Sequence, residues 1–189
     1  VGILPLVVHG GGPQIGDLMQ RLGKEPEFLD GLRVTDAETL DIARMVLVGK
    51  VNRDIVGSIN VHVPLAVGVS GEDGGLITAA ARNPELGFVG DVDSVDPTLL
   101  TKLFTEGLIP VMSTIGTDAS GQAYNINADT VAGAVAEAIG AEKVVYLTDV
   151  EGLYEDLDNK DSLIGEISAD ELQTKVESGQ ITDGMIPKI

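Results

Sequence analysis

Leu4-Pro5-Leu6-Val7-Val8-His9-Gly10-Gly11-Gly12-Pro13-Gln14-Ile15-Gly16-Asp17-Leu18-Met19-Gln20-Arg21-Leu22 is the stretch on which the fold turns. Leu4–Val8 is a short apolar run with β-branched residues, the pattern of a buried strand. Gly10, Gly11 and Gly12 then end the run. Pro13 is preset for the first turn of a helix. Over Gly16–Leu22, residues Leu18, Met19 and Leu22 recur at helical spacing. Strand, glycine turn, helix is the opening unit of an α/β protein.

The same grammar continues outward. Thr35-Asp36-Ala37-Glu38 is a capping-box pattern. It opens a long helical stretch with Leu40, Ala43, Leu47 and Val51 on one face, which Gly49 or Gly57 is placed to bend. Leu65–Val69 reads as a second buried strand. Leu76–Ala81 and Gly87–Val92 flank Asn83-Pro84 and predict a hairpin. Asp96-Pro97 starts a helix to Glu106, with Gly107 as its stop. Leu108–Met112 predicts a third buried strand, and Asp118–Gln122 a turn. Asn125-Ile126-Asn127-Ala128-Asp129 leads into an alanine-rich helix that runs to Ile139 and closes at Gly140. Lys143–Leu147 predicts a fourth buried strand. Ser168-Ala169-Asp170-Glu171 is a second capping box, opening a helix that Gly179 ends. Short, wholly apolar strands alternating with helices predict an α/β fold with a mostly parallel sheet covered on both faces. In such folds ligands bind beyond the carboxyl ends of the strands, where the polar clusters of this sequence fall.

The length, 189 residues, fits one domain or at most two lobes. With 30 acidic and 12 basic residues the formal charge is −18, a surface that repels nucleic acid and anionic membranes. An anionic ligand then needs a locally built site. The absence of Cys excludes disulfides and thiolate metal sites, and two His argue against a zinc centre. No apolar run approaches the roughly 18 residues of a membrane span, no signal peptide appears, and the expected location is cytoplasmic. The chain opens on Val1 and closes on Met185-Ile186-Pro187-Lys188-Ile189, which reads as an internal piece of a longer protein.

Four constellations are candidates for chemistry. Gly10-Gly11-Gly12 lets a ligand approach backbone N–H groups closely, and the helix that follows adds its positive dipole end. A plain tight turn explains these glycines equally well. A dinucleotide fingerprint on Gly10, Gly12 and Gly16 fails in its last gap, which is three residues instead of two. Arg33, in Gly31-Leu32-Arg33-Val34-Thr35, is one of few cations and is suited to clamp a carboxylate; its commoner fate is a surface ion pair. Alternation puts Asn125 and Asn127 on one side of an extended segment, with Asp129 in the following helical turn; helix capping alone accounts for these residues too. Lys188, in Thr182-Asp183-Gly184-Met185-Ile186-Pro187-Lys188, is able to neutralise a migrating phosphoryl group, or else is solvated. His9 and His62 read as structural, with His9 placed to orient the glycine turn.

In this order, the segments Val8–Pro13, Gly31–Thr35, Asn125–Asp129, Leu147-Thr148-Asp149-Val150-Glu151-Gly152-Leu153 and Ile181–Lys188 resemble the amino-acid kinase family, and in detail its acetylglutamate kinase branch. The resemblance implies a three-layer α/β/α sandwich. Residues 1–140 would form a lobe that binds N-acetyl-L-glutamate, and 141–189 the start of a nucleotide lobe. The implied reaction is transfer of the ATP γ-phosphoryl group to the substrate's side-chain carboxylate, an early step of arginine synthesis. It further implies that Gly11 and Gly12 hold the phosphoryl group and substrate, Arg33 the α-carboxylate and Asn125 the substrate. Asp129 would organise the catalytic lysines, and Lys188 would stabilise the leaving phosphate. Nucleotide contacts would come from Asp149, Val150, Glu151, Gly152, Leu153, Tyr154 and Thr182. Mg²⁺ would travel with ATP, with no metal site of the protein's own. A homo-oligomer, at least a dimer, is implied, and arginine as an effector is left open. The family's opening Lys-x-Gly-Gly strand does not occur in this sequence. Loss of one phosphate-facing donor costs about 10²–10³ in rate, so little activity is expected of this chain alone. The alternatives are a sister kinase for glutamate, aspartate, carbamate or UMP, and a non-catalytic ligand-binding or arginine-sensing module.

Overall fold

A computed structural model describes residues 2–29, 31–148, 151–156 and 159–178. The chain divides into two units, Val1–Lys143 and Val144–Ile189.

The first unit opens with β1 (Val7–His9), followed by α1 (Gly12–Arg21). A small hairpin pairs β2 (Phe28–Leu29) with β3 (Leu32–Arg33). Next come α2 (Ala37–Arg44), a π-helical stretch Met45–Val51 that contains Gly49, and α3 (Asn52–Asn60). After them lie β4 (Ala66–Ser70), β5 (Ile77–Ala81), β6 (Val89–Val95) and α4 (Thr98–Thr105). The unit finishes with β7 (Ile109–Ser113), β8 (Ile115–Thr117), β9 (Ala123–Ile126) and α5 (Ala128–Ile139). Gly140, in the left-handed region at φ 61°, closes α5 as expected.

Strands β1, β7 and β4 form a parallel sheet in that order. Val8, Met112 and Val69 are paired in register, so their side chains share one face. Leu100 of α4 and Val131 and Val135 of α5 pack in the same cluster with them. The alternate set, Val7, Val111 and Gly68 followed by His9, Ser113 and Ser70, faces the other way. There α3 lies close, and a Cβ on Gly68 would collide with the side chains of Asn52 and Arg53. Helices on both faces of a parallel sheet make the expected α/β/α layers. A second, four-stranded sheet, β5-β6-β9-β8, closes on itself with mixed pairing. Its β5–β6 hairpin matches the reading around Asn83-Pro84. The β8–β9 hairpin is marked in the sequence only by its Asp118–Gln122 turn, because three- and four-residue strands carry little periodicity.

Two expectations are corrected. The N-cap of α2 is Asp36, which accepts from Thr39 N at 2.8 Å, and not Thr35. Thr35 is buried and bridges Gly87 through Thr35 N→Leu86 O and Phe88 N→Thr35 O, so tertiary pairing claims it. Glu38 turns to Lys24, which also holds Asp36. The predicted buried strand Lys143–Leu147 is neither strand nor buried: Val145 is 68% and Leu147 94% exposed. An apolar run becomes a buried strand only where neighbouring strands satisfy its backbone groups, and no such ladder reaches it among the described residues.

In the second unit, Tyr154 and Leu163 form an antiparallel bridge, reinforced by Ile164 N→Leu153 O at 2.8 Å. Helix α6 (Ala169–Glu177) begins with the expected Ser168–Glu171 capping box. Gly179 lies outside the described residues. No helix among them is long and apolar enough to cross a membrane.

Candidate active site

The glycine turn leaves the carboxyl end of β1, at the edge where an α/β sheet presents its ligands. Gly11 is the N-cap of α1 and brings no side chain to cap it. The first-turn N–H groups of a helix lack intrahelical partners, so this end offers donors and a positive dipole. At α5 the arrangement differs: Asn127 Oδ1 accepts from Asp129 N at 2.9 Å and Thr130 N at 3.1 Å. The open donors therefore belong to α1. Glycine at position 11 lets α1 and the π-helical stretch pack closely, because a Cβ there would sit 2.9 Å from Leu47 Cδ2 and 3.1 Å from Val51 Cγ2. The π-helical stretch thus leans directly on the turn.

Arg33 reaches the same place from β3. Its Nη2 donates to Gly12 O at 2.9 Å, and its Nη1 contacts Met19 Sδ at 3.4 Å. The β2–β3 register sets Phe28 opposite Arg33, and the guanidinium lies 4.8 Å from the ring centroid. Partial burial pulls the Arg33 pKa below its ordinary value, yet a guanidinium stays charged at neutral pH. With two N–H groups spent on Gly12 and Met19, the rest of the five-donor fork can serve a ligand.

Gly11, Gly12, Arg33, Asn125 and Asp129 line one cleft of about 260 Å³. Asn125 comes from the end of β9, and Asp129 from the first turn of α5. Thus segments more than a hundred residues apart converge around an open helix N-terminus and one cation, in a chain of formal charge −18. Ile15, Leu47, Val89 and Ile126 supply apolar wall. The arrangement suits a small carboxylate with an aliphatic body, together with a second anionic group at the glycine turn.

The turn proposed for nucleotide belongs to the second unit. There the Tyr154 hydroxyl donates to Glu151 at 2.7 Å, which raises the Tyr154 pKa. Gly152 has φ 153°, and Leu153 takes part in the backbone pairing to Ile164. Asp149, Val150, Thr182 and Lys188 lie outside the described residues. Sequence reasoning passed over Phe28, Thr114 and Asn52. Phe28 and Thr114 line the cleft. Asn52 is wholly buried behind the turn, and its only sequence signal is a lone amide next to an apolar helix face.

A sequence model described as "Amino acid kinase family" matches residues 2–189. An acetylglutamate kinase of Symbiobacterium thermophilum is 52% identical over all of this chain, which covers 68% of that protein. One of Corynebacterium efficiens is 54% identical, again over all of this chain and 64% of the relative. The chain thus spans about two thirds of the length of these curated relatives. The crystal structure of smu.665 from Streptococcus mutans superposes with a TM-score of 0.86 at 26% identity, covering 99% of this chain and 74% of that one. A family match across residues 2–189, half-identical relatives and a shared backbone leave one assignment: this chain belongs to the amino acid kinase family.

Proposed function

We propose that the protein carrying this chain transfers the γ-phosphoryl group of ATP to the side-chain carboxylate of N-acetyl-L-glutamate, in arginine biosynthesis. The observation that carries the reading is the convergence of Arg33, Asn125 and the uncapped Gly11–Gly12 end of α1 in one cleft. Arg33 clamps the α-carboxylate, and Asn125 fixes the substrate by its amide. The Gly11 and Gly12 N–H groups hold the reacting carboxylate and the transferring phosphoryl group. A carboxylate oxygen attacks phosphorus, the bond from phosphorus to the β-phosphate oxygen breaks, and ADP leaves with that electron pair. The product is an acyl phosphate, and no proton need move. The protein's task is alignment and charge neutralisation, which matches a site of backbone donors and one guanidinium. Asp129 organises the catalytic lysines, and the Glu151–Tyr154 turn contacts nucleotide.

A divalent ion, Mg²⁺ in this reading, neutralises phosphate charge when bound with ATP. Among the described residues that line the cleft, Asp129 is the one carboxylate, and no three His, Asp or Glu side chains gather as a metal cage. That donor set fits an ion held mainly by phosphate oxygens and water.

The test is an ADP-release assay of the complete protein with N-acetylglutamate, glutamate, aspartate, carbamate and UMP. N-acetylglutamate is expected to give the highest kcat/KM. Arg33→Ala should raise its KM about 30-fold, the equivalent of about 2 kcal/mol for a lost charged contact. Preference for another acceptor, or an unchanged KM in Arg33→Ala, overturns the reading.

A further inference from the structure

His9 and Asn52 lie directly behind the glycine turn, 8% and 0% exposed. Asn52 Nδ2 is 3.1 Å from His9 Nε2 and 2.8 Å from Val111 O, and Asn52 Oδ1 meets Arg53 Nη2. His9 Nδ1 is 3.0 Å from Gly10 O. Asn52 Nδ2 also lies 3.5 Å from Val69 O, and together these neighbours assign one tautomer to His9. Arg53 only donates, so the Asn52 atom facing it is the oxygen. Val111 O only accepts, so the atom facing it is the amide nitrogen. His9 Nε2 then faces a donor and is the acceptor. The imidazole proton sits on Nδ1 and is donated to Gly10 O.

We propose that His9 and Asn52 are a positioning pair, which holds the Gly10 carbonyl and thereby aims the Gly11 N–H used in phosphoryl transfer. The proposal rests on the kinase reading of that turn. Gly10 C=O and Gly11 N–H belong to one planar trans peptide and point in opposite directions, so anchoring the carbonyl orients the N–H. Donation to the carbonyl also polarises the peptide, making Gly11 N–H a stronger donor. Asn52 grips Val111 O in the central strand of the parallel sheet, which ties the turn to that strand. Burial lowers the His9 pKa, outweighing the opposing effect of the Gly10 hydrogen bond, which keeps the ring neutral.

Nitrogen-15 NMR of the histidine-labelled chain reads the tautomer, since His62 is exposed and is the only other histidine. The expected result is a protonated Nδ1 and an unprotonated Nε2 on His9. Asn52→Asp sets an acceptor against Nε2; the same spectra tell whether the ring is then doubly protonated, which keeps the donor to Gly10 O and should spare kcat, or neutral with its proton on Nε2, which leaves Gly10 O without its donor. In the latter case kcat of the complete protein for N-acetylglutamate should fall about tenfold while KM for ATP changes little, measured per folded molecule. His9→Gln, which still offers an amide N–H, should keep more of kcat than His9→Leu. A wild-type proton on Nε2 overturns the proposal, as does a reversed tautomer with unchanged kcat, or equal kcat in the two His9 variants. If Asn52→Asp does not fold, the wild-type tautomer and the His9 pair decide. If N-acetylglutamate is not turned over, the kinase reading fails. The positioning claim is then judged separately by the Gly11 amide resonance, which should move in His9→Leu and stay in His9→Gln; an unmoved resonance in His9→Leu overturns it.

Discussion

Gly11→Ala adds one methyl group where β1 hands over to α1, and its cost can be worked from the packing. The Gly11 φ of 177° lies outside the left-handed region that favours glycine, so the cost worked out here is the steric one. The new Cβ lies 2.9 Å from Leu47 Cδ2 and 3.1 Å from Val51 Cγ2. Leu47 is 1% exposed and wedged in the cluster with Ile15, Met19 and Ile115, so it cannot swing away freely. Overpacking of this kind costs about 1–3 kcal/mol. Leu47→Ala alone should cost about 2–5 kcal/mol by leaving a cavity. In the double variant the methyl group added at position 11 enters the space that Leu47 vacates, so the Gly11→Ala penalty largely disappears. Urea unfolding of the four proteins at a common m-value should therefore show a favourable coupling of about 1 kcal/mol or more. Independent sites add to within about 0.3–0.5 kcal/mol, so additivity inside that margin refutes the claim that Leu47 dictates glycine at position 11. Gly11→Ala should also weaken N-acetylglutamate binding by calorimetry, because the turn must shift to relieve the clash.

Two further perturbations address other parts of the first unit. Asn127→Ala removes the acceptor for Asp129 N and Thr130 N and should destabilise the protein by about 1 kcal/mol in urea unfolding, whereas Asn127→Asp keeps an acceptor and should lose much less; an unchanged midpoint in Asn127→Ala refutes the cap. Asp36 is held down to a pKa of about 2, chiefly by its bond to Lys24 and then by Thr39 N. A depressed carboxylate adds stability above its unfolded pKa, near 3.8, and loses it as pH falls toward about 2. Asp36→Asn keeps the cap but not the charge, so its deficit should be modest, about 0.2–1 kcal/mol for an exposed pair, and should close as pH drops from 4 to about 2. A deficit that persists at low pH removes the charge from the explanation.

Much of the architecture is legible because local and tertiary preferences agree. The runs behind β1, β4 and β7 are apolar, short and bounded by turn residues, and each becomes a strand of the parallel sheet. Asn127 and Gly140 bracket α5 as cap and stop. Misreadings arise where a distant partner decides. Thr35 has the chemistry of an N-cap, but its backbone is taken by the pairing to Gly87, and the cap moves to Asp36. Lys143–Leu147 has the composition of a buried strand, yet composition supplies no partner, and the run is left outside any sheet and exposed.

Sequence by itself determined the alternation of strand and helix, the glycine turn between β1 and α1, and the small set of residues able to meet an anion in so acidic a chain. Taken singly, Gly11, Arg33, Asn125 and Asp129 were as well explained by a turn, an ion pair or a cap. Only the tertiary structure gathered them, because the carboxyl ends of β1 and β9 and the β2–β3 hairpin open on one cleft. The same holds more strongly for Asn52. Its partners His9 and Val111 lie 43 and 59 residues away, so nothing local marks it. A buried amide acquires its meaning from the groups that satisfy it, and those meet only when the chain has folded.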